Sequence, residues 1–210
     1  MTGLDRLAAN ALDAGDLPVG LEGLWLRAAL TTVATGCAVD PPADELMQLT
    51  TPDRAWADLP RWPPESIDDR VGRLRDTHRL AISLGNAAWL SQLDSCWSRA
   101  AAAIDERTVL RARGEIDLAL GGPGWQPDDL ETLIDEHFLL PTAPGDRAWL
   151  ALAHRDRQAA QRHLAELDDQ LTRALQQWSE VADNGIRQVL SYPGTVLRVE
   201  PRALHVLAHR

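Results

Sequence analysis

The stretch from Asp146 to Ala182, DRAWLALAHRDRQAAQRHLAELDDQLTRALQQWSEVA, sets the fold class of the whole chain. Ala153, Arg157, Ala160, Leu164, Leu167, Leu171, Ala174, Trp178 and Val181 follow one another at spacings of four and three, the period of a helix face that meets another helix. Read as one helix, the segment is about 55 Å long at about 1.5 Å per residue, with Arg157 as the one polar member of its seam. Asn184-Gly185 supplies a stop.

Working back towards the N-terminus, the same period recurs. Leu4, Leu7, Ala8, Ala11 and Leu12 precede Gly15, and Leu21, Leu24, Trp25, Ala28, Ala29 and Val33 precede Gly36, so two short helices open the chain. Ile67, Val71, Leu74, His78, Ala81 and Ile82 form a stripe behind the cap sequence Ser66-Ile67-Asp68-Asp69, and Gly85-Asn86 ends it. The next stripe, Trp89, Leu93, Cys96, Trp97, Ala100 and Ile104, slips phase before Val109, Ala112, Ile116 and Leu120, which predicts a break near Asp105 to Thr108. Gly121-Gly122-Pro123-Gly124 is a loop, after which Pro127 opens a helix with acids in its first turn and Trp125 positioned to staple onto Leu130. Six of the thirteen prolines lie between Cys37 and Glu65, where no long helix can pass.

The fold expected is therefore all-α: a multi-helix bundle with long antiparallel helices and a Pro-rich strap near residues 38 to 65. Thr195 to Val199 and Leu204 to Ala208 read as a small C-terminal β-hairpin, with a final helix from Pro201 as the alternative. Residues 1–210 are taken as a single helical domain, with a subdivision at 1–64 and 65–210. Short fragments recur, such as DRAW at 53 and 146, but at offsets that disagree, and no repeat is built on them.

Composition bounds the chemistry. The chain carries 31 acids and 21 bases for a net charge of −10, and every base is arginine. Without lysine there is no Walker-type phosphate loop, no lysine Schiff base and no lysine general base. The arginine-only usage fits a GC-rich coding sequence. At 45% hydrophobic and 25% charged, the sequence is that of a folded globular chain. Cys37 and Cys96 match no metal or redox spacing and read as buried apolar residues in a reducing compartment. No signal-peptide pattern or membrane-length apolar run is found, so a cytoplasmic location without membrane contact is expected.

Candidate site residues are few. His137, His154, His163 and Glu166 are the weak metal candidates, because the short connection Leu140 to Gly145 folds two helices against each other and His163 and Glu166 share a helix face. Their plainer reading, a histidine at a helix C-terminus and two beside a helix seam, carries more weight, so no catalytic residue, metal or cofactor is assigned. His78 sits on an apolar stripe and reads as a hydrogen-bonded core residue. His205 and His209 pair as metal ligands only if the C-terminus is helical. Diacidic pairs such as Asp68-Asp69 and Asp128-Asp129 begin helices. No serine elbow and no glycine nucleotide fingerprint is present.

Eight tryptophans stand against one Phe and one Tyr. Trp89, Trp97 and Trp178 fit stripes, whereas Trp56, Trp62 and Trp125 lie among prolines or glycines and, with Arg61, are the partner-binding candidates. The function expected is a noncatalytic adaptor, regulatory or assembly subunit that binds a protein partner or itself. The alternative is a metal-dependent or acid/base hydrolase-like enzyme on the C-terminal helices. A more distant one is nucleic-acid association through the arginine clusters at 70–79, 107–113 and 155–162, which interleaved acids and the net charge disfavour.

Overall fold

A computed structural model describes residues 17–35, 39–41, 43, 44, 47, 64–180 and 193–210. The described residues are mostly helical and contain no strand. In chain order the helices are α1 (Leu17–Thr35), α2 (Pro64–Ser83), α3 (Ala87–Ala100), α4 (Glu106–Ala119), α5 (Pro127–Asp135), α6 (Pro144–Ala153), α7 (Arg157–Glu180), α8 (Pro193–Val196) and α9 (Val199–Ala208). The first sixteen residues and nearly all of the Pro-rich segment, with Cys37, Trp56, Arg61 and Trp62, lie outside the described residues.

The chain divides into two compact units. One takes residues 1–55 and 170–198. In it α8 packs on α1, Leu24, Trp25, Ala28 and Ala29 are buried, and the Thr32 hydroxyl accepts from the Val39 amide at 3.2 Å. The other takes residues 56–169 and 199–210. There α2 packs on α3, α4 and α9, α4 also meets α3, α5 and α6, and α9 also meets α6. Leu74, Ala81 and Ile82 of α2 are buried, as are Trp89, Leu93, Cys96 and Trp97 of α3. These are stripe positions, so the period written in the sequence is the face each helix buries.

Four helices of this second unit end in one and the same turn. The amides of Asn86, Gly122, Phe138 and Asp156 each donate to the carbonyl five residues back, on Ala81, Asp117, Leu133 and Ala151, at 2.8 to 3.2 Å. The residue before each sits in the left-handed region: Gly85 (φ 63°), Gly121 (φ 90°), His137 (φ 63°) and Arg155 (φ 59°). This is the Schellman closure, which satisfies the last carbonyls of a helix and is ordinarily built on glycine. Two of the four junctions then open the next helix at once. Asn86 accepts from the Trp89 amide at 3.0 Å, and Asp156 from the Ala159 amide at 2.9 Å.

That turn corrects the long-helix reading. The segment from Asp146 onwards is two helices, because Arg155 turns left-handed and Asp156 caps a fresh start. Arg157 is accordingly exposed rather than a seam member, while Ala160, Leu164 and Leu167 keep the buried face of α7. A break between α3 and α4 is present but lies at 101–105, ahead of the expected 105–108, because Asp105 accepts from the Arg107 amide and caps α4 from Glu106. The expected C-terminal hairpin is overturned: residues 193–196 and 199–208 are helical, and Val199, Ala203, Leu204 and Leu207 recur at helical spacing and are buried. An alternating pattern over so few residues serves a strand and a helix equally until a neighbouring surface selects one.

Candidate functional site

The second unit is built around an ionic cluster supplied by α2, α4, α6 and α9. Glu115 falls beside Ala112, Ile116 and Ala119 on the inner face of α4 and is fully buried. One of its carboxylate oxygens, Oε2, accepts from Arg79 Nε at 2.8 Å and from His78 Nε2 at 2.9 Å. Oε1 accepts from Arg79 Nη2 at 2.7 Å and Arg111 Nε at 3.1 Å. An ionised carboxylate has about four lone-pair sites, and all of them are taken. Arg79 continues to Glu200 of α9 at 2.9 Å, and the same Glu200 oxygen accepts from the Trp149 indole at 3.0 Å. The Arg79 guanidinium lies 5.7 Å from the Trp149 ring centroid. Arg111 reaches Asp146 at 2.6 Å and also donates to the Phe138 carbonyl, and Asp146 in turn accepts from the Leu140 amide at 2.9 Å. This clamp fixes the connection between α5 and α6.

The hydrogen-bond pattern assigns the state of His78. Its Nδ1 accepts from the Trp97 indole at 3.2 Å, so the ring proton is on Nε2, facing Glu115. Protonating Nδ1 would set two donors against each other in a buried site. Burial accordingly pushes the imidazole below its ordinary value, and Glu115 only partly opposes this. Burial alone would raise the Glu115 carboxyl, but the Arg79 charge and its two hydrogen bonds hold it well below the carboxylate range. Burial likewise works against the Arg79 cation, and Glu115 and Glu200 outweigh it. Bare burial of one such ion costs several kcal/mol, so this cluster stands only because every member is paired.

The candidates named from the sequence land elsewhere. His137 is exposed in the left-handed turn after α5, and His154 is exposed at the end of α6. His163 is half-buried with Nδ1 3.7 Å from Glu166, and Glu166 is engaged by Arg147. Among the described residues no three His, Cys, Asp or Glu side chains gather as metal ligands would. His205 and His209 do stand one turn apart on α9, with ring centroids 4.3 Å apart and His209 Nδ1 bonded to the His205 carbonyl. Trp125 is buried, its indole donating to the Leu110 carbonyl at 3.1 Å and lying on Gly114, where any Cβ would overlap it.

Glu115, Arg79, Arg111, Asp146 and Glu200 do not stand out as a set in the sequence. The signal it does carry is an acid on the apolar face of α4 and a His-Arg pair on that of α2, and their pairing is a tertiary fact. In the first two arginine clusters Arg79 and Arg111 are in the ionic cluster, Arg107 pairs with Asp105 and Glu136, and Arg113 pairs with Asp94, whereas Arg155, Arg157 and Arg162 of the third form no ion pair with the described residues. Clefts also open on this unit. One of 650 Å³ is bounded by α4, Asp94 and Trp125, and one of 570 Å³ contains Arg155, Arg157 and Arg210; neither is lined by a member of the ionic cluster. No helix among the described residues is long and apolar enough to cross a membrane. The chain matches no family model, and the comparisons with curated proteins and with solved structures found no match.

Proposed function

We propose that this chain is a noncatalytic helical interaction module, a cytoplasmic adaptor, regulatory or assembly subunit in which a bundle of helices presents its faces to a protein partner or to a second copy. The observation that carries this reading is the saturation of Glu115 and His78. A general base needs a free lone pair within reach of a substrate proton, and a general acid needs a proton not already committed. Glu115 has four donors and His78 has both ring nitrogens engaged, so this fully buried acid/base pair is spent on holding helices together. The dispersal of His137, His154 and His163 favours the same reading over a metal-dependent hydrolase. Trp56, Arg61 and Trp62 remain the residues proposed to meet the partner, and Trp125 enters as a wall of the 650 Å³ cleft. Native mass spectrometry of the purified protein tests it. A metal-free dimer or higher oligomer is expected, and a monomer that retains a stoichiometric ion would overturn the reading.

A further inference from the structure

The 570 Å³ cleft has a chemistry unlike the rest of its unit. Its walls carry three guanidinium groups, Arg155, Arg157 and Arg210, beside the apolar side chains of Leu118, Leu152 and Leu207, and no acid is among them. Elsewhere in this unit Arg79, Arg107, Arg111, Arg113 and Arg147 each meet a carboxylate, and Arg99 and Arg162, which form no ion pair with the described residues, are exposed and line neither cleft. Arg155 and Arg157 form no ion pair with the described residues, and Arg210 gives one nitrogen to the Ala119 carbonyl at 2.6 Å. The neighbouring acids carry charge but are directed at backbone amides, Asp156 at Ala159 and Asp117 at Gly124 at 2.8 Å, with the Asp117 carboxylate lying against Gly122. Three arginines without an ion-pair partner among the described residues thus share one concavity of a chain whose net charge is −10.

Arg155 is placed at the cleft wall by the turn that ends α6. It holds the left-handed position that Gly85 and Gly121 fill in the equivalent turns, at a cost of roughly 1–2 kcal/mol for a residue with a Cβ. His137 holds the same position in the turn after α5, so the left-handed geometry belongs to the turn, and what distinguishes the cleft is its charge.

We infer that this cleft binds an acidic peptide segment of a partner protein, with carboxylates on the arginines and interleaved leucine-like side chains against Leu118, Leu152 and Leu207. Guanidinium forks match carboxylates in bidentate geometry, and the volume lies in the range of about 300–1,000 Å³ that ligand sites occupy. Gly121, also in the wall, has open space where a Cβ would stand and leaves room for a peptide backbone to approach. The inference rests on the interaction-module reading and names the partner chemistry for one of its surfaces.

The test uses the full chain and a fluorescein-labelled octapeptide of alternating glutamate and leucine, followed by fluorescence anisotropy. Saturable binding is expected, weakened at least tenfold by Arg157→Glu and by Arg155→Asn, and weakened on raising salt from about 0.05 to about 0.3 M. Both variants preserve the fold: an acid is favourable at the first position of α7, and asparagine tolerates the left-handed turn. Thermal melts of the variants check this. Equal binding of the glutamine-for-glutamate peptide, or no effect of Arg157→Glu, would overturn the inference. Displacement of the peptide by equimolar inorganic phosphate would also overturn it, as the site would then take a free oxyanion. A failed peptide titration beside a metal-free oligomer in the native mass spectrum sinks the cleft alone, whereas an ion-bearing monomer sinks the module reading.

Discussion

Replacing Glu115 with glutamine keeps the side-chain shape and changes only charge and one donor, so it isolates what the ionic cluster contributes. The amide nitrogen must take either the Oε1 site, against Arg79 Nη2 and Arg111 Nε, or the Oε2 site, against Arg79 Nε and His78 Nε2. Either placement sets donor against donors. His78 cannot relieve the clash by shifting its proton to Nδ1, because the Trp97 indole already donates there. Arg79 is left with Glu200 as its nearer remaining carboxylate partner, and Glu200 is only partly buried. Breaking a buried pair from one side costs about 3–5 kcal/mol. For a chain of this length each kcal/mol corresponds to roughly 2–4 °C in Tm, so Glu115→Gln is expected to melt about 6–20 °C lower. Urea denaturation at pH 7.5, followed by tryptophan fluorescence and far-UV circular dichroism, reads the loss directly, with the exposed Glu131→Gln as a control that moves by no more than about 0.5 kcal/mol. Combining Glu115→Gln with Arg79→Met should cost less than the sum of the two singles, by about 1 kcal/mol or more. A loss below about 1 kcal/mol for Glu115→Gln would refute the account of the cluster as the keystone of this unit.

The remaining predictions are local. His78 is buried neutral with a depressed pKa, so its contribution is fully present above the unfolded value near 6.5 and is lost as pH falls below it, by at most about 1.4 kcal/mol per pH unit. His78→Gln keeps a donor to Glu115 without titrating, and its urea midpoint should stay flatter than the wild type's from pH 7 to 5.5. Glu115, with its pKa also depressed, adds a second loss on the acid side below about pH 4.5, visible as a steeper fall in both proteins. His137→Gly relieves a left-handed residue with a Cβ and should stabilise by about 0.5–1 kcal/mol once glycine's extra chain entropy is subtracted, whereas Gly85→Ala should destabilise by a similar amount; urea midpoints of the two variants check both. Gly114→Ala drives a Cβ into the Trp125 indole and should cost about 1–3 kcal/mol with a shifted tryptophan emission, and an unchanged spectrum and midpoint would count against the close packing there.

Helix identity was legible because it depends on local spacing. The stripes on α2, α3 and α4 mark their buried faces except at Leu120, which is exposed past the end of α4, and Gly85-Asn86 and Gly121-Gly122 announce their turns through residue types that suit positive φ and helix caps. The break at Arg155 was hidden because the same turn is built there without glycine, and a four-and-three spacing passes through it unbroken. The C-terminal segment was ambiguous for a related reason: a short apolar pattern has no preferred period until α2 and α6 offer α9 a surface.

The ionic cluster lay further still from the sequence. Glu115, Arg79 and His78 are visible as ionisable residues on apolar faces, but their meaning depends on partners 36 and 37 positions away, and Glu200 is far beyond that. The sequence by itself determined which segments coil and which face each turns inward, since both follow from side chains within one or two turns. Only the tertiary structure decided which charges meet and which remain free in the arginine cleft, because a charge's worth is set by the solvent and countercharges that distant segments remove or supply.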